Sequence, residues 1–529
     1  MKAAQRDEMG ETVDRNQEPS ELLDPLKDAV RNHYDVLATD RAAWYTRNSY
    51  YYRYLENRLQ QLIPPGSRVL ELGCGTGNLL AALKPGVGLG IDLSSAMVAE
   101  ARRQHPDLAF EVGDAETIQL SLNFDFVVAS DLLAELSDIS AMLDRLHYVC
   151  SDAGKLIVTF HNPALEGSLR VAQRLRLAMA PYRQNWVSPR DARNLLNLSD
   201  FEVEVEELGL LVPKNIPLLA STANRTLSRM PGIRYFNLVN LMVARPHRPR
   251  PAPRTLTCTV LIPCRNEVDN VLPAVQRVPK MGSHTEILFV DGSSTDGTKE
   301  RIEEVIDRYH GEKDIKLMLQ VPEATYEAHK DDANTPISML QLGKGDAVRK
   351  GFDAATGDVL MILDADLTVP PEDLPRFFAA IATGKADFIN GTRLVYPMEE
   401  KAMKFANYLG NKFFSILFTW LLEQPIRDTL CGTKVLLKTD YARIKAGRAH
   451  FGEFDPFGDF DLLFGAARLG LRIIEVPVRY RRRLAGVSKV RVAQHGWLLI
   501  GMSIIGFHKL KLSKWLDQLS RADRPGGKR

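Results

Sequence analysis

VLMILDADL, Val359 to Leu367, is the stretch that decides how the second half of this 529-residue chain is read. A continuous apolar run leads into Asp364-Ala365-Asp366. Such a run, bounded by polar residues, reads as a strand of a parallel sheet buried on both faces. Two carboxylates at its carboxyl end fall where open α/β sheets bind ligands. Hard oxygen donors suit Mg²⁺ or Mn²⁺, which bridge one or two carboxylates to substrate phosphates. An isolated Asp-x-Asp is more often a cap or a strand end than a metal site. Its weight comes from its neighbours.

Working outward, TVLIPCRNE (Thr259 to Glu267) is an apolar strand followed by Pro263 and a polar elbow. EILFVDGSSTDGT (Glu286 to Thr298) is a second strand ending on Asp291, with Asp296 placed to cap the next helix. A third strand is expected near Ile315 to Val321. GKGDAVRKGFDAATGD (Gly343 to Asp358) opens a helix around Lys344, with Gly357 as its stop. This βαβα succession predicts a mostly parallel sheet with helices on both faces. Each polar feature alone is an ordinary turn former or helix start. Together they share the carboxyl edge of one sheet, which argues for one pocket. There Asp291 would accept from a base or ribose, and Lys344 with its neighbouring amides would hold phosphate.

These stretches resemble the GT-A glycosyltransferases, in particular the inverting family that includes dolichol-phosphate mannose and glucose synthases. The matching segments are IPCRNE, VDGSSTDGT, GKGDAVRKGF, DADL, INGTR, DTLCGTKV, FGDFDLLFGAARLG and EVPVRYRRRLAGVSKV, spanning about Thr257 to Leu512. The resemblance implies that Glu267 and Asp291 hold the nucleoside, with Pro263, Lys344 and Asp364 completing the donor site. It implies that Asp364 and Asp366 meet the ribose-diphosphate and its metal, and that Arg393 of Gly391-Thr392-Arg393 faces an acceptor phosphate. Asp461 would sit by the reacting centre, with Asp459 the other candidate base, while Arg482 and Lys489 would lie over the diphosphate. Thr433 and Lys434 stand where mannose synthases tend to carry Phe and Arg, and the insertion Asp331 to Met339 is longer than that family suggests.

In the first half, VLELGCGTGN (Val69 to Asn78) reads as a strand, a glycine turn and a helix. Gly73, Gly75 and Gly77 permit a tight turn and close approach to a ligand. Strands follow that end at Asp92, at Asp114 and, through FDFVVASDLLAEL, at Asp131. GKLIVTFHN is a fifth strand, and FEVEVEELG and FNLVNLMVAR are expected as edge strands. The string resembles class I S-adenosylmethionine-dependent methyltransferases over about Asp35 to Arg245. The resemblance implies that the glycine turn holds the methionine end, Asp92 the ribose and Asp114 the adenine. Glu71 would support the turn and Asp131 would complete the cofactor site. Methyl transfer from a sulfonium needs mainly orientation, whereas an oxygen nucleophile also benefits from a base. Asp131, Glu135 and His161 are the candidates for that base. The run Tyr50-Tyr51-Tyr52-Arg53-Tyr54 reads as a helix face packed on the domain or as a cover over the cofactor.

Composition sets the outer bounds. A chain of this length holds roughly two to four domains. Its formal charge of +2 argues against a nucleic-acid binder. Five cysteines, Cys74, Cys150, Cys258, Cys264 and Cys431, show no C-x-x-C or zinc spacing and fit a reduced compartment. From Leu471 onward only Glu475, Asp517 and Asp523 oppose a long series of arginines and lysines. Among them lies HGWLLIGMSIIGFHKLKLSKWL, His495 to Leu516, too short to span a bilayer. It suits either an anionic membrane interface or a helix packed on the domain. FFSILFTWLL, Phe413 to Leu422, poses the same pair of readings.

The expected architecture is α/β with two domains. A polar, mobile segment 1–34 precedes a Rossmann-like methyltransferase domain 35–245. A Pro/Arg-rich linker 246–256 leads to a GT-A domain 257–494 and a basic, amphipathic segment 495–529. The expected partners are S-adenosylmethionine, Mg²⁺ or Mn²⁺, a nucleotide-diphospho-sugar, a polyprenyl phosphate or glycan acceptor, and an anionic membrane surface on its cytoplasmic face. In a rival reading the first half is a non-catalytic cofactor-binding or interaction module and the acceptor is a glycan hydroxyl. A nucleotidyltransferase would need a glycine-rich first loop, which IPCRNE lacks.

Overall fold

The computed structural model describes residues 25–182, 184–248, 252–322, 325, 343–396, 405–450, 459–483 and 500–512, with the side chains of 405–412, 450 and 459 outside that description. Lys489, the segment Gly486 to Lys489, the insertion Asp331 to Met339 and most of 495–529 also lie outside the described residues. Two compact units form. One runs up to Gln184 and takes in Val205–Val243; the other takes in Asn185–Glu204 and continues from Ala244.

The first unit is built on a seven-stranded sheet: β1 Arg68–Leu72, β2 Val87–Asp92, β3 Ala109–Val112, β4 Phe124–Ser130, β5 Cys150–His161, β6 Phe201–Gly209 and β7 Val239–Pro246. The order is β3-β2-β1-β4-β5-β7-β6. Strand β1 pairs in parallel with both β2 and β4. The order therefore reverses direction at β1, the topological switch where α/β sheets bind ligands. β6 lies at an edge as its alternating polar pattern suggests. β7 does not: it is inserted between β5 and β6, and the apolar run NLMVA is accordingly buried. A helix spans Pro25–Leu37, so residues 25–34 of the segment expected to be mobile are helical. Tyr51, Leu55 and Leu59 of the helix Ser49–Leu62 recur four residues apart and are all buried, a spacing that lays them along one face.

The second unit carries a second seven-stranded sheet: β8 Cys258–Cys264, β9 Thr285–Asp291, β10 Asp314–Leu319, β11 Val359–Ile362, β12 Phe388–Thr392, β13 Lys434–Leu437 and β14 Ile473–Pro477. The order is β10-β9-β8-β11-β13-β12-β14. β10, β9, β8 and β11 pair in parallel, and β13 runs antiparallel to both β11 and β12. Alternate residues feed opposite faces. Cys258, Val260, Ile262 and Cys264 join one apolar cluster, while Leu261 joins the other with Phe352, Phe418 and Phe464. Both faces are thus covered, as the unbroken apolar strands required.

Gly357 plays a part different from the expected helix stop. The helix ends at Ala354. Gly357 instead lies against β8, where an added Cβ would stand 2.5 Å from the backbone of Cys258 and Thr259. Close backbone approach, not chain reversal, demands glycine there.

Candidate active sites

In the first unit the carboxyl ends of β1, β2 and β4 open onto a cavity of about 460 Å³. That volume suits a cofactor with part of an acceptor. Glu71, Gly73, Gly75, Asp92, Asp114 and Asp131 all line it, as do Glu135 and His161. Gly75 and Gly77 hold φ of +51° and +76°, a region that L side chains avoid. Gly77 is not in the cavity wall. A Cβ there would strike the Phe110 ring at 2.5 Å, so its role is packing.

The acids differ in their bonding. Asp92 accepts from the backbone N–H of Gly75 (2.8 Å) and of Ser94 (2.9 Å), which ties the glycine turn to the end of β2. Burial pushes its carboxyl up, against those two hydrogen bonds. Asp114 receives Lys27 Nζ at 2.5 Å, and the same ammonium stands 2.7 Å from Glu116. Burial opposes the charge of Lys27, but the two carboxylates outweigh it and hold the lysine above its usual range. Asp131, at φ +57°, accepts from the Tyr51 hydroxyl and from Thr159 Oγ1. Tyr51 Oη lies 3.3 Å from His161 Nε2. The tyrosine-rich helix therefore does both things its sequence allowed: it packs on the domain and supplies cavity wall.

Three further wall residues carried no mark in the sequence: Lys27, Tyr34 and Arg41. Tyr34 donates to Glu135 (2.6 Å) and Arg41 to Tyr52 (2.8 Å). Glu71 is buried and its Oε2 has no hydrogen-bond partner. Burial pushes its carboxyl up to about 8, against a hydrogen bond from the Leu80 backbone.

In the second unit the predicted residues group by strand end. Cys264 and Asp291 are register partners on β8 and β9. Asp291 is buried and accepts from Ser294 through both backbone and hydroxyl. Glu267 accepts from Asn270, and Asp296 accepts from the Thr298 backbone and hydroxyl at the helix start. Lys344 Nζ stands 2.6 Å from Asp364 Oδ1. Burial would raise the Asp364 carboxyl, yet Lys344, Lys434 and Arg393 together hold it below its ordinary value. Asp366 is met by Arg483 at 2.7 Å and by the Thr368 hydroxyl at 2.9 Å. Two hard carboxylates at a sheet edge are donors of the kind that would suit a Mg²⁺-type ion. Among the described residues no group of three or more His, Cys, Asp or Glu side chains forms a metal cage.

Arg393 follows β12 but is not an open cation. It is buried and forms a two-pronged pair with Asp428, at 2.6 and 2.8 Å. Tyr480 lies over its guanidinium at 5.1 Å. Asp461 is likewise engaged, by Arg448 at 2.7 Å. Arg482 is exposed. The side chain of Asp459 and all of Lys489 lie outside the described residues.

Two residues escaped notice in the sequence. Gly432 closes over the Lys344–Asp364 pair, since an added Cβ would stand 2.7 Å from Lys344 Nζ and overlap Asp364 Oδ2. Glu475 accepts from the backbone of Arg427 and Asp428 and from Asn390, so it fixes the loop that carries Asp428.

A methyltransferase-domain family model matches residues 44–210, and the model for glycosyl transferase family 2 matches 259–320 and 334–440. The dolichol-phosphate mannosyltransferase of Pyrococcus furiosus is 27% identical over 271 residues, covering 50% of this chain and 65% of that protein. The polyprenol monophosphomannose synthase of Mycolicibacterium smegmatis is 29% identical over 249 residues, covering 46% of this chain and 82% of that protein. For the first half, the trans-aconitate 2-methyltransferase of Methylobacterium nodulans is 36% identical over 113 residues, or 21% of this chain and 44% of that protein. The chain joins a methyltransferase domain to a glycosyl transferase family 2 domain. Asp461, Arg482 and Lys489 lie beyond the second matched segment.

Proposed function

We propose that the second domain transfers a sugar from a nucleotide-diphospho-sugar to a polyprenyl phosphate, with a divalent metal ion, and that the first transfers a methyl group from S-adenosylmethionine. The observation that carries the sugar-transfer reading is the Lys344–Asp364 pair under Gly432, on the same sheet edge as the buried Asp291 with β8 between them. It sets a cation and an ionised carboxylate on the sheet edge that also carries Asp291, the residue that would accept from the nucleoside. The names of the two mannosyl-transferring relatives favour a lipid-phosphate acceptor.

Bound at Asp364 and Asp366, the metal would offset charge on the departing diphosphate. The protein's part is to hold the donor and neutralise what leaves. Asp291 binds the nucleoside, and Lys344, already aimed at Asp364, adds positive charge where the diphosphate departs. A phosphate acceptor is ionised at neutral pH and needs little help from a base. Arg393 in this reading acts through its fixed charge. It helps keep Asp364 ionised, and Asp428 prevents it from moving.

In the first domain, S-adenosylmethionine supplies an activated methyl group when bound. Asp92 would take the ribose and Asp114 the adenine edge. Tyr51, linked to Asp131 and His161, would pass on an acceptor's proton.

A membrane surface completes the proposal. No described helix is long and apolar enough to cross a membrane. The helix Phe405–Leu422 buries Phe414, Phe418 and Leu421 but exposes Phe413, Ile416 and Trp420. In the segment 500–512, Met502 and Leu510 are buried while Ile500, Ile504 and Phe507 are exposed. Trp420 stacks on Phe507, and Lys511 lies over Trp420 while pairing with Glu423 at 2.5 Å. Exposed apolar side chains beside a lysine suit the interface of an anionic bilayer, where a lipid-linked acceptor resides. A donor-hydrolysis screen across UDP-, GDP- and dTDP-sugars with Mn²⁺, with and without a short polyprenyl phosphate, tests the function. Turnover with one donor that rises on adding the lipid phosphate supports it. Turnover indifferent to the lipid phosphate argues for a glycan hydroxyl.

A further inference from the structure

The second unit takes in Asn185–Glu204, a stretch that lies inside the segment 44–210 matched by the methyltransferase-domain model. Its helix Pro189–Leu198 begins with a capping box in which Ser188 and Asp191 bond each other. Apolar residues explain why the helix packs on this unit. Leu195 and Leu196 are buried, and Leu198 lies against the core cluster fed by β8. Lys385 donates to the Leu198 carbonyl and stands 2.9 Å from Asp200. Asp191 and Asn194 do something else. Asp191, itself buried, forms an ion pair with Arg427, and Asn194 donates to the backbone carbonyl of Glu475. Three residues apart on the helix, they share one face.

What that face grips is the loop that holds Arg393. The Glu475 carboxylate accepts from the backbone N–H of Arg427 at 2.9 Å and of Asp428 at 3.1 Å. Asn194 thus holds the Glu475 main chain and Asp191 the Arg427 side chain, on either side of those bonds. Asp428, the next residue, accepts both prongs of the Arg393 guanidinium and the Arg393 N–H at 3.0 Å. Arg393 in turn is among the charges that keep Asp364 ionised. A connected series therefore runs from Asp191 through Arg427, Asp428 and Arg393 toward the sheet edge. Helix capping does not account for it. Asp191 accepts from the Ser188 N–H and hydroxyl at 2.8 and 2.6 Å, which satisfies the cap without an arginine. A largely buried ion pair adds little net stability over an apolar contact; its better-attested use is to fix one geometry.

We propose that Asp191 is a positioning residue for sugar transfer, acting through Arg427 on the Asp428–Arg393 pair; the proposal rests on the sugar-transfer reading above. A stretch of methyltransferase-matched sequence thereby completes the unit that transfers sugar. A cut at the Pro/Arg-rich linker would take this helix away from the unit that uses it. The competing account is a helix that only seals the core.

Transfer of labelled sugar by the full chain to a short polyprenyl phosphate, with Mn²⁺ and the preferred donor, separates the two. Asp191→Asn keeps an acceptor oxygen for the cap and removes the charge. It should lower kcat about tenfold, since a small misplacement reaches the rate, and leave the donor KM within about twofold. Arg427→Gln should do the same. The double variant should lose no more than the worse single one, because both break one link. Asp191→Glu should recover part of the rate. Ser188→Ala breaks the cap and spares the ion pair, so it should lower the melting temperature and leave kcat near wild type. The proposal is overturned if Asp191→Asn transfers at the wild-type rate. It is equally overturned if the double variant loses the product of the two single losses, or if Ser188→Ala lowers kcat as much as Asp191→Asn. Should the wild-type chain transfer no sugar from any donor, the sugar-transfer reading itself falls, and the proposal with it.

Discussion

Lys344 Nζ stands 2.6 Å from Asp364 Oδ1, and the backbone of Gly432 closes directly over the pair. The three residues come from a helix start, a strand end and the loop before β13, so their meeting is a product of the sheet order. In the sugar-transfer reading, separating this ammonium and carboxylate is what donor binding must accomplish.

Gly432→Ala is the least intrusive way to disturb that arrangement. The new methyl would overlap Asp364 and crowd Lys344, and a misplacement of about 1 Å can cost about 10²-fold in rate. Donor turnover should fall on that scale, while S-adenosylhomocysteine binding by the same preparation stays unchanged. Full turnover in Gly432→Ala would remove the pair from the donor site.

Arg393 and Asp461 separate the two acceptor chemistries. With a polyprenyl-phosphate acceptor, Arg393→Ala should damage transfer more than Asp461→Asn, because no proton need be removed. Arg393→Ala also removes the guanidinium that pairs with the buried Asp428, at a cost of about 3–5 kcal/mol. Melting curves must accompany the rates, and Asp428→Asn serves as a control that breaks the same pair while keeping Arg393. Loss of transfer in Asp461→Asn with Arg393→Ala nearly intact would point to a hydroxyl acceptor.

Glu71 gives a pH prediction with a definite sign. Its carboxyl is pushed up from 4.5 to about 8 in the folded chain. A raised folded value means that the folded state binds the proton more tightly, so the stabilisation is complete below about 4.5 and is lost as pH rises through 8. Glu71→Gln should therefore gain stability relative to wild type above pH 8, by an amount on the order of a few kcal/mol. Denaturant melts at pH 5 and pH 9 measure the difference. A gain of equal size at both values would contradict the assignment.

For the membrane surface, Trp420→Ser combined with Phe507→Ser should weaken binding to anionic vesicles about tenfold or more, given roughly 1.5–3 kcal/mol for each buried aromatic. Wild-type binding should also weaken as salt rises, since arginines and lysines far outnumber acids from Leu471 onward. Equal sedimentation of wild type and double variant would count against the surface.

Much of this was legible in sequence, for reasons that differ by residue. The glycine turn at Gly73 to Gly77 and the acids ending β2 and β11 announce themselves because backbone geometry and strand ends leave local marks. Arg41, Lys27 and Tyr34 left none. They reach the cavity from helices whose docking is a tertiary event, and Lys27 and Tyr34 lie in a segment whose composition reads as mobile. Asp428 and Glu475 were invisible for a related reason: a buried carboxylate that fixes a loop looks, in sequence, like any surface acid. β7 was misplaced at an edge because an apolar run gives depth but not order within a sheet.

The central claim is metal-dependent sugar transfer at Asp364 and Asp366, on a domain separate from the cofactor cavity. The most direct measurement follows transfer of labelled sugar from the preferred nucleotide donor to a short polyprenyl phosphate, by wild type and Asp366→Ala, with Mn²⁺ and with chelator. We predict transfer by wild type that chelator abolishes, none by Asp366→Ala, and unchanged S-adenosylhomocysteine binding in both. Full transfer by Asp366→Ala in chelator would contradict the account.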